Sequence, residues 1–202
     1  AVPAEKVPPP PERFAFGLAG GHITSPLQID LSGPLTLEAW ITPSREFEEQ
    51  QTSLYGINQI NLRGGREWSM LIWTDGPLIT LRSGIAPVAD RRTHVAAVYT
   101  PAEARLYVDG KMGARRDLTD VKPVQTTVPF ETGWELTDTL DDVRVSKSAR
   151  YDSDFKPPSV LTADASTVLL YNLNEGAGDR ALDSSVNARH GAAVEAPVFN
   201  IP

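Results

Sequence analysis

The amino-acid sequence predicts an all-β protein, and three observations carry that prediction. Apolar and polar residues alternate in many short segments, as expected of strands with one buried face. Clusters of Gly, Pro, Asp and Asn separate these segments at regular spacing. No segment shows the 3.6-residue period of a long helix. Many short strands between tight turns are typical of a β-sandwich or a β-barrel.

The predicted strands follow one another along the chain with turn signals between them. They are TLEAWI (36–41), WSMLIW (68–73), LITLR (78–82), HVAAVY (94–99), RLYV (105–108), TLDDVRVS (139–146) and VLLYNL (168–173). In the first of these, Leu37, Ala39 and Ile41 are expected on the buried face. Asp109-Gly110, directly after RLYV, is a strong signal for a tight hairpin.

Composition and charge exclude several classes of function. The chain has 202 residues, a formal net charge of −7 and no cysteine, which excludes disulfides, thiolate metal sites and thiol nucleophiles. The negative charge would repel a phosphate backbone, so we expect no nucleic-acid partner. No apolar run approaches the roughly 20 residues that span a bilayer, so we expect no membrane span in this chain.

The first 13 residues differ from the rest of the chain. Four consecutive prolines, Pro8–Pro11, favour extended polyproline II structure over packing. We therefore expect residues 1–13 to be a proline-rich linker that joins the module to other domains of a larger protein, and residues 14–202 to form one β domain.

Four ordered motifs give the sequence a family resemblance. TLEAWI (36–41), HVAAVYT (94–100), RLYVDGK (105–111) and LDDVRVSKSARY (140–151) resemble, in order and spacing, the LamG-like jelly-roll domains of the concanavalin A-like lectin/glucanase superfamily. The segment LYNLNEGAGDRALDSSVNARHG (170–191) is similar to the sequence that accompanies such domains. The resemblance implies an antiparallel jelly-roll β-sandwich, of the kind found in large planctomycete-type multidomain bacterial proteins.

The resemblance also implies a function. A non-catalytic binding or adhesion module is expected, which recognises a glycan or a protein as part of a larger exported or membrane-anchored bacterial protein, in an extracytoplasmic location. One alternative is a purely structural or sensory ectodomain, for example of a serine/threonine kinase, without a small-molecule ligand. A second alternative is an atypical glycoside hydrolase, because the same superfamily holds hydrolases.

The sequence carries no hydrolase motif. Glucanases of this superfamily place carboxylates on one strand as Glu-x-Asp-x-Glu, so that alternate positions share a face. The nearest cluster, residues 45–50, offers Glu46 and Glu48 in a hydrophilic connection, where a solvated acidic loop is the simpler interpretation. The three histidines, His22, His94 and His190, lie in separate segments, so no catalytic residue is predicted.

Calcium is the one cofactor that the resemblance raises. LamG-like domains often bind an ion at a sandwich edge through acids of an early loop and of late strands, but the early loop of this chain reads LAGGHI (18–23), without a carboxylate. Asp141 and Asp183 are the candidate metal ligands. The alternative for Asp183 is a turn capped by its side chain.

Exposed aromatic rings would supply the ligand-binding surface of a glycan-binding module. Trp68 and Trp73 are five residues apart in one predicted strand, so they face opposite sides and at most one is buried. Trp73, beside the turn at 74–76, is one candidate ligand-binding residue, and Trp134, beside Gly133, is the other. Trp40 is expected to be a packing residue.

The acidic pair Asp141-Asp142 is divided by strand alternation. Asp141 is expected on the apolar face with Val143 and Val145, where it needs a partner. Asp142 is expected beside Arg144 on the other face, as a solvated charge pair worth about 0–1 kcal/mol.

Overall fold

The protein is described from a computed structural model. The structure describes residues 15–17, 21–43, 51–55, 59–133, 139–176, 178–194 and 198–201. The predicted linker at 1–13 lies outside these residues, and so does Trp134.

Sixteen strands make up the secondary structure of the described residues. In chain order they are β1 (Ala15–Gly17), β2 (His22–Gln28), β3 (Leu35–Thr42), β4 (Gln51–Tyr55), β5 (Ile60–Gly64), β6 (Ser69–Ile72), β7 (Ile79–Arg82), β8 (Thr93–Tyr99), β9 (Glu103–Val108), β10 (Lys111–Asp117), β11 (Pro129–Thr132), β12 (Thr139–Ser146), β13 (Thr167–Tyr171), β14 (Arg180–Ala181), β15 (Gly191–Val194) and β16 (Val198–Ile201).

The strands form two antiparallel sheets packed face to face. The first sheet has the order β10-β9-β8-β3-β12-β1-β16, with β13 also paired to β12. The second has the order β14-β15-β2-β11-β4-β5-β6-β7. No helix of the described residues is long and apolar enough to cross a membrane. The prediction of an all-β jelly-roll sandwich is confirmed.

The core lies between the sheets and follows the predicted alternation. Leu37, Ala39 and Ile41 of β3 are at most 2% exposed and belong to one apolar cluster with Met70 and Ile72 of β6. The intervening residues of each strand point to the outer face of their sheet. Sequence periodicity therefore located the core face of β3 correctly.

The hairpin predicted at Asp109-Gly110 joins β9 to β10. Both residues have positive φ, 49° at Asp109 and 74° at Gly110, as the two central residues of a type I′ turn require. The turn packs against a later segment, because the Phe155 amide donates to the Gly110 carbonyl at 2.8 Å. A side chain at position 110 would overlap the Phe155 carbonyl, so only glycine fits.

One edge of the sandwich is closed by the approach of β10 to β7. The register of β10 shifts between Met112 and Ala114, which makes Gly113 the bulged residue. A Cβ at Gly113 would lie 2.8 Å from the Cβ of Ser83, directly after β7. The edge strand β7 therefore has a packed neighbour on its sandwich side, while its outer face remains open.

Candidate functional site

A cleft lies on the outer face of β5, β6 and β7, at the edge of the second sheet. It encloses about 510 Å³ and is lined by residues of these strands and of the β5–β6 connection. The strand register sets its layout, because Arg63 pairs with Ser69, and Ser69 with Arg82, in one row across the three strands. Residues in such a row lie about 4.8 Å apart from strand to strand.

The first row on this face carries two arginines, whereas the residues beyond it are uncharged and partly apolar. Leu71 is the central residue of the second row, with Thr80 beside it on β7. Leu71 is only 6% exposed and forms part of the cleft wall, whereas Leu78, at the start of the β7 segment, is 48% exposed. The face thus offers hydroxyls and guanidinium groups at one end and apolar surface at the other.

Arginine dominates the charge of the cleft. Among the described residues its lining holds Arg63, Arg66 and Arg82 against one carboxylate, Glu67. Both oxygens of Glu67 accept protein hydrogen bonds, at 3.3 Å from Arg82 Nη1 and at 2.7 Å from the Gly84 amide. The described part of the lining is therefore basic, although the whole chain carries a net charge of −7.

Trp73 lies on this face, as the sequence predicts. It follows β6 directly, and it is partly exposed while Trp68 at the other end of the strand is 1% exposed and part of the core. The guanidinium carbon of Arg63 lies 5.7 Å from the centre of the Trp73 ring, within cation–π range. The Trp73 backbone is held on both sides, since its amide donates to Gln59 and its carbonyl accepts from Val124. The ring is thus presented by a fixed backbone.

A second depression, of about 560 Å³, lies beside β13 and is more open. Its exposed apolar side chains are Val160 and Leu182, and Glu175 is the carboxylate in its lining. Glu175 Oε1 accepts from the Leu182 amide at 2.6 Å, so it serves the local backbone. No aromatic ring lines this depression among the described residues.

The motif residues that resemble the family meet in a buried cluster on the outer face of the first sheet. Glu38 Oε1 accepts from Arg144 Nε at 2.8 Å, and Glu38 Oε2 accepts from the Tyr151 hydroxyl at 2.8 Å. His94 Nε2 lies 3.1 Å from the same Oε2. The side chains of Glu38 and His94 are both fully buried.

The electrostatics of this cluster keep the Glu38 carboxylate ionised. Burial alone would raise the pKa of Glu38, but the hydrogen bond from His94 and the positive charge of Arg144 hold it below its ordinary value. Burial, together with the adjacent Glu38 carboxylate, raises the pKa of Tyr151. Tyr151 stacks on Phe155 at 3.6 Å and covers the cluster. With no access to a substrate, these residues hold the fold together.

The predicted orientation of Asp141 is wrong. Asp141 pairs across the sheet with Trp40, and Leu140 with Ile41, so Leu140 takes the core position and Asp141 the outer face. A β-bulge between Asp141 and Arg144 causes the reversal, because an extra residue shifts the alternation by one. Arg92 supplies the partner that Asp141 requires, at 2.7 Å, and also lies 3.9 Å above the Trp40 ring.

The predicted solvated pair of Asp142 and Arg144 is also wrong. Asp142 is the bulged residue, with φ of 50° and no exposed surface. Its carboxylate accepts from the Leu161 amide at 2.8 Å and from Asn172 Nδ2 at 2.6 Å. Arg144, 5% exposed, turns to Glu38 instead. The buried charges are each paired, as burial requires.

Asp183 organises the turn that follows it. Its two oxygens accept from the Leu170 amide, from the amide and hydroxyl of Ser185 and from the Arg189 amide, at 2.7 to 2.9 Å. The Asp183 amide in turn donates to His190 Nδ1 at 3.0 Å. This is the side-chain-capped turn that the sequence offers as the alternative to a metal ligand.

The structure does not bring Asp141 and Asp183 into a metal centre with further ligands. Within the described ranges, no group of three or more His, Cys, Asp and Glu residues is placed to hold an ion. Calcium binding stays a prediction.

Sequence reasoning missed the arginines of the cleft. The signal was present, because alternation around the buried residues Leu62, Met70 and Leu81 places Arg63, Ser69 and Arg82 outward. What the sequence lacked was the strand register that sets these residues in one row.

Comparison with known proteins supports this description of the fold. The Laminin_G_3 family model, described as Concanavalin A-like lectin/glucanases superfamily, matches residues 18–154, more than half of the chain. None of the curated proteins compared with the sequence matches it significantly.

Three solved structures illustrate the structural similarity. A candidate carbohydrate-binding protein from Bacteroides ovatus ATCC 8483 is 18% identical with a TM-score of 0.71, covering 92% of this chain and 61% of its own. Domains LG4-5 of the mouse laminin alpha1 chain are 13% identical with a TM-score of 0.52, over 75% of this chain and 48% of theirs. The SAP-like pentraxin of Limulus polyphemus is 11% identical with a TM-score of 0.51, over 69% and 78%.

This chain therefore spans about three fifths of the length of the Bacteroides protein. Because the sequence identities are below 20%, these similarities support the fold alone. On the strength of the family match and of the jelly-roll sandwich, the chain belongs to the concanavalin A-like lectin/glucanases superfamily.

Proposed function

We propose that this chain is a non-catalytic binding module that recognises a glycan on the outer face of β5, β6 and β7. One observation carries the proposal: Trp73, the guanidinium groups of Arg63 and Arg82 and the hydroxyl of Thr80 share one open face of a rigid sheet. Aromatic faces stack on sugar rings, and fixed polar groups orient the hydroxyls. The structurally similar Bacteroides ovatus protein is described as carbohydrate-binding, which supports the same ligand class.

The chemistry of the cleft supports a binding role over a hydrolytic one. Glycoside hydrolysis needs two carboxyl groups that flank the scissile bond, about 5–10 Å apart. The described lining of the cleft offers Glu67 alone, and both of its oxygens are occupied by protein donors. The Glu38 carboxylate, which accepts from Arg144 and Tyr151, is buried beneath Tyr151.

We further propose that the module works outside the cytoplasm as one domain of a longer exported chain. The proline-rich segment at 1–13 would act as a stiff spacer to the neighbouring domain. A glycan-binding face at the exposed edge of the sandwich suits such an arrangement.

A glycan array tests the proposed function. The wild-type protein should bind a subset of glycans, and Trp73→Ala should remove the signal while Trp73→Phe retains part of it, because a smaller ring still stacks. Leu182→Ala, which removes an exposed apolar side chain from the second depression, is the matched control and should leave binding unchanged.

Other outcomes would contradict the proposal. Loss of binding in Leu182→Ala but not in Trp73→Ala would move the site to the second depression. Silence across the whole array would favour the structural or sensory alternative. Release of reducing sugar from a polysaccharide panel would show that the module is a hydrolase.

A further inference from the structure

The row Arg63–Ser69–Arg82 is arranged to receive an anionic group. The outer two residues are two strand spacings apart, about 10 Å, with a hydroxyl residue between them. Guanidinium groups reach inward from both sides over such a distance, and planar guanidinium groups bind carboxylate and sulfate oxygens in bidentate fashion.

Arg63 has unused binding capacity. Its Nε is buried and has no hydrogen-bond partner in the part of the chain that the structure describes. The interaction that its guanidinium group makes there is with the face of Trp73. A ligand that reaches this side chain would bind to the Nη donors, which a contact with an aromatic ring does not consume.

Arg82 is also accessible to a ligand. Its side chain is 67% exposed, and its ion pair with Glu67 is long, at 3.3 Å. Exposed pairs of this kind contribute little to stability, so a stronger anion can replace Glu67 at small cost. The Gly84 amide keeps Glu67 in place when Arg82 turns to the ligand.

The position of Trp73 connects the charged row to the sugar ring. The Arg63 guanidinium lies 5.7 Å from the ring centre, so a sugar stacked on Trp73 carries its substituents next to that cation. A neutral sugar would leave the guanidinium without a charged partner, whereas a uronate or a sulfated sugar supplies one. The net charge of −7 of the whole chain opposes long-range attraction of an anion, so binding depends on the local contacts of these arginines.

We propose that the ligand is an acidic glycan whose carboxylate or sulfate groups bind between Arg63 and Arg82 while a neighbouring sugar ring stacks on Trp73. This inference rests on the proposed function, because it specifies the ligand class of the same cleft. Carboxylate and sulfate share the chemistry that the cleft recognises, and the experiment separates them.

Isothermal titration calorimetry with three probes tests the inference. The probes are an oligogalacturonate, which carries carboxylates, a heparin-derived hexasaccharide, which also carries sulfates, and cellohexaose, which is neutral. We expect the wild-type protein to bind at least one acidic probe, and the affinity to fall when NaCl is raised from about 50 to 300 mM, since salt screens exposed charges. Cellohexaose should bind more weakly or not at all.

Charge-neutral variants locate the site. Arg63→Gln and Arg82→Gln should each weaken the binding of the acidic probe about tenfold, the size of one charge-assisted interaction. Arg180→Gln is the matched control, because it removes the same charge from an exposed position on β14, at the opposite edge of the same sheet. It should leave the affinity unchanged. Thermal melts of all three variants verify that each is folded.

The outcomes separate this inference from the proposed function. Cellohexaose could bind in a way that Trp73→Ala abolishes and that the two arginine variants leave unchanged. That result would contradict the proposal of an acidic ligand but would still support a glycan-binding module. If Arg180→Gln lost as much affinity as the two cleft variants, the effect would come from the net charge of the protein, and the proposed site would be wrong. If none of the three probes bound and no glycan on the array gave a signal, both the acidic ligand and the proposed glycan-binding function would be wrong. Equally tight binding of poly-glutamate would assign the cleft to an acidic protein segment instead.

Discussion

Glu38 and Arg144 form a buried ion pair, with Arg144 Nη2 2.7 Å from Glu38 Oε1 and side-chain exposures of 6% and 0%. The two residues are opposite each other on β12 and β3, and 106 positions separate them in the sequence. Tyr151 and His94 fill the remaining acceptor sites of the carboxylate. Residues from three of the four motifs therefore meet at one carboxylate, on a face without solvent access.

Removal of one member of this pair should destabilise the fold strongly. Arg144→Met removes the nearer cation of the buried Glu38 carboxylate and leaves Arg150 Nε at 3.7 Å, and we expect a loss of about 3 kcal/mol of unfolding free energy. The double variant Glu38→Leu/Arg144→Met removes both charges and should recover part of that loss. Urea denaturation monitored by tryptophan fluorescence measures both. A single variant as stable as the wild type would show that the pair is not coupled in solution.

Stability should fall at acidic pH, in part through Glu38. The pKa of Glu38 in the folded protein is lowered from its ordinary value of 4.5. The ionised carboxylate therefore contributes to the free energy of unfolding above pH 4.5, and this contribution is lost as the pH falls through the folded pKa. Glu38→Gln cannot titrate, so its unfolding free energy should decline less steeply below pH 4.5 than that of the wild type. Urea denaturation at several pH values between 7 and 3 provides the two slopes, and identical slopes would contradict the role of Glu38.

The hairpin at Asp109-Gly110 should not tolerate a side chain at its second residue. Gly110→Ala introduces a Cβ that overlaps the Phe155 carbonyl, in a backbone conformation that L-residues rarely adopt. We expect a loss of more than about 2 kcal/mol. Gly33→Ala is the matched control, since nothing lies within 4 Å of its added Cβ, and it should change stability by less than about 0.5 kcal/mol. Equal melting temperatures for the two variants would contradict this account of the turn.

Asp183 allows the calcium hypothesis to be separated from a structural role. Asp183→Asn replaces an oxygen that accepts hydrogen bonds by a donor, so we expect a loss of about 2 kcal/mol from the turn. That loss should be the same in millimolar calcium and in chelator, because four protein donors already occupy the carboxylate. Thermal melting measures both conditions. A calcium-dependent rise in Tm that the wild type shows and the variant lacks would instead identify Asp183 as a metal ligand.

The faces of regular strands were predictable from the sequence. In β3 the alternation of Leu37, Ala39 and Ile41 assigned the core correctly, and the five-residue separation of Trp68 and Trp73 placed the two rings on opposite faces. The Asp109-Gly110 hairpin was equally clear, because positive φ at both residues restricts the sequences that fit. Local geometry decides these features, and residues close in sequence carry it.

The position of Asp141 was not predictable in this way. One extra residue at Asp142 reverses the alternation for everything on one side of it, and nothing in the order of residues in LDDVRVS marks the bulge. The bulge is stabilised by Leu161 and Asn172, which are 19 and 30 positions away. A feature stabilised by distant partners leaves no local signal.

The sequence by itself determined the all-β class, the faces of regular strands such as β3, the Asp109-Gly110 turn and the family of this protein, because these depend on periodicity and on residues close together in the chain. Only the tertiary structure decided which side chains share a surface. The burial of Glu38, the reversal at Asp142 and the row of Arg63 and Arg82 all depend on strand register and on contacts between distant segments. Side-chain packing and strand pairing determine those contacts, and the candidate glycan site is formed by residues that strand pairing brings together.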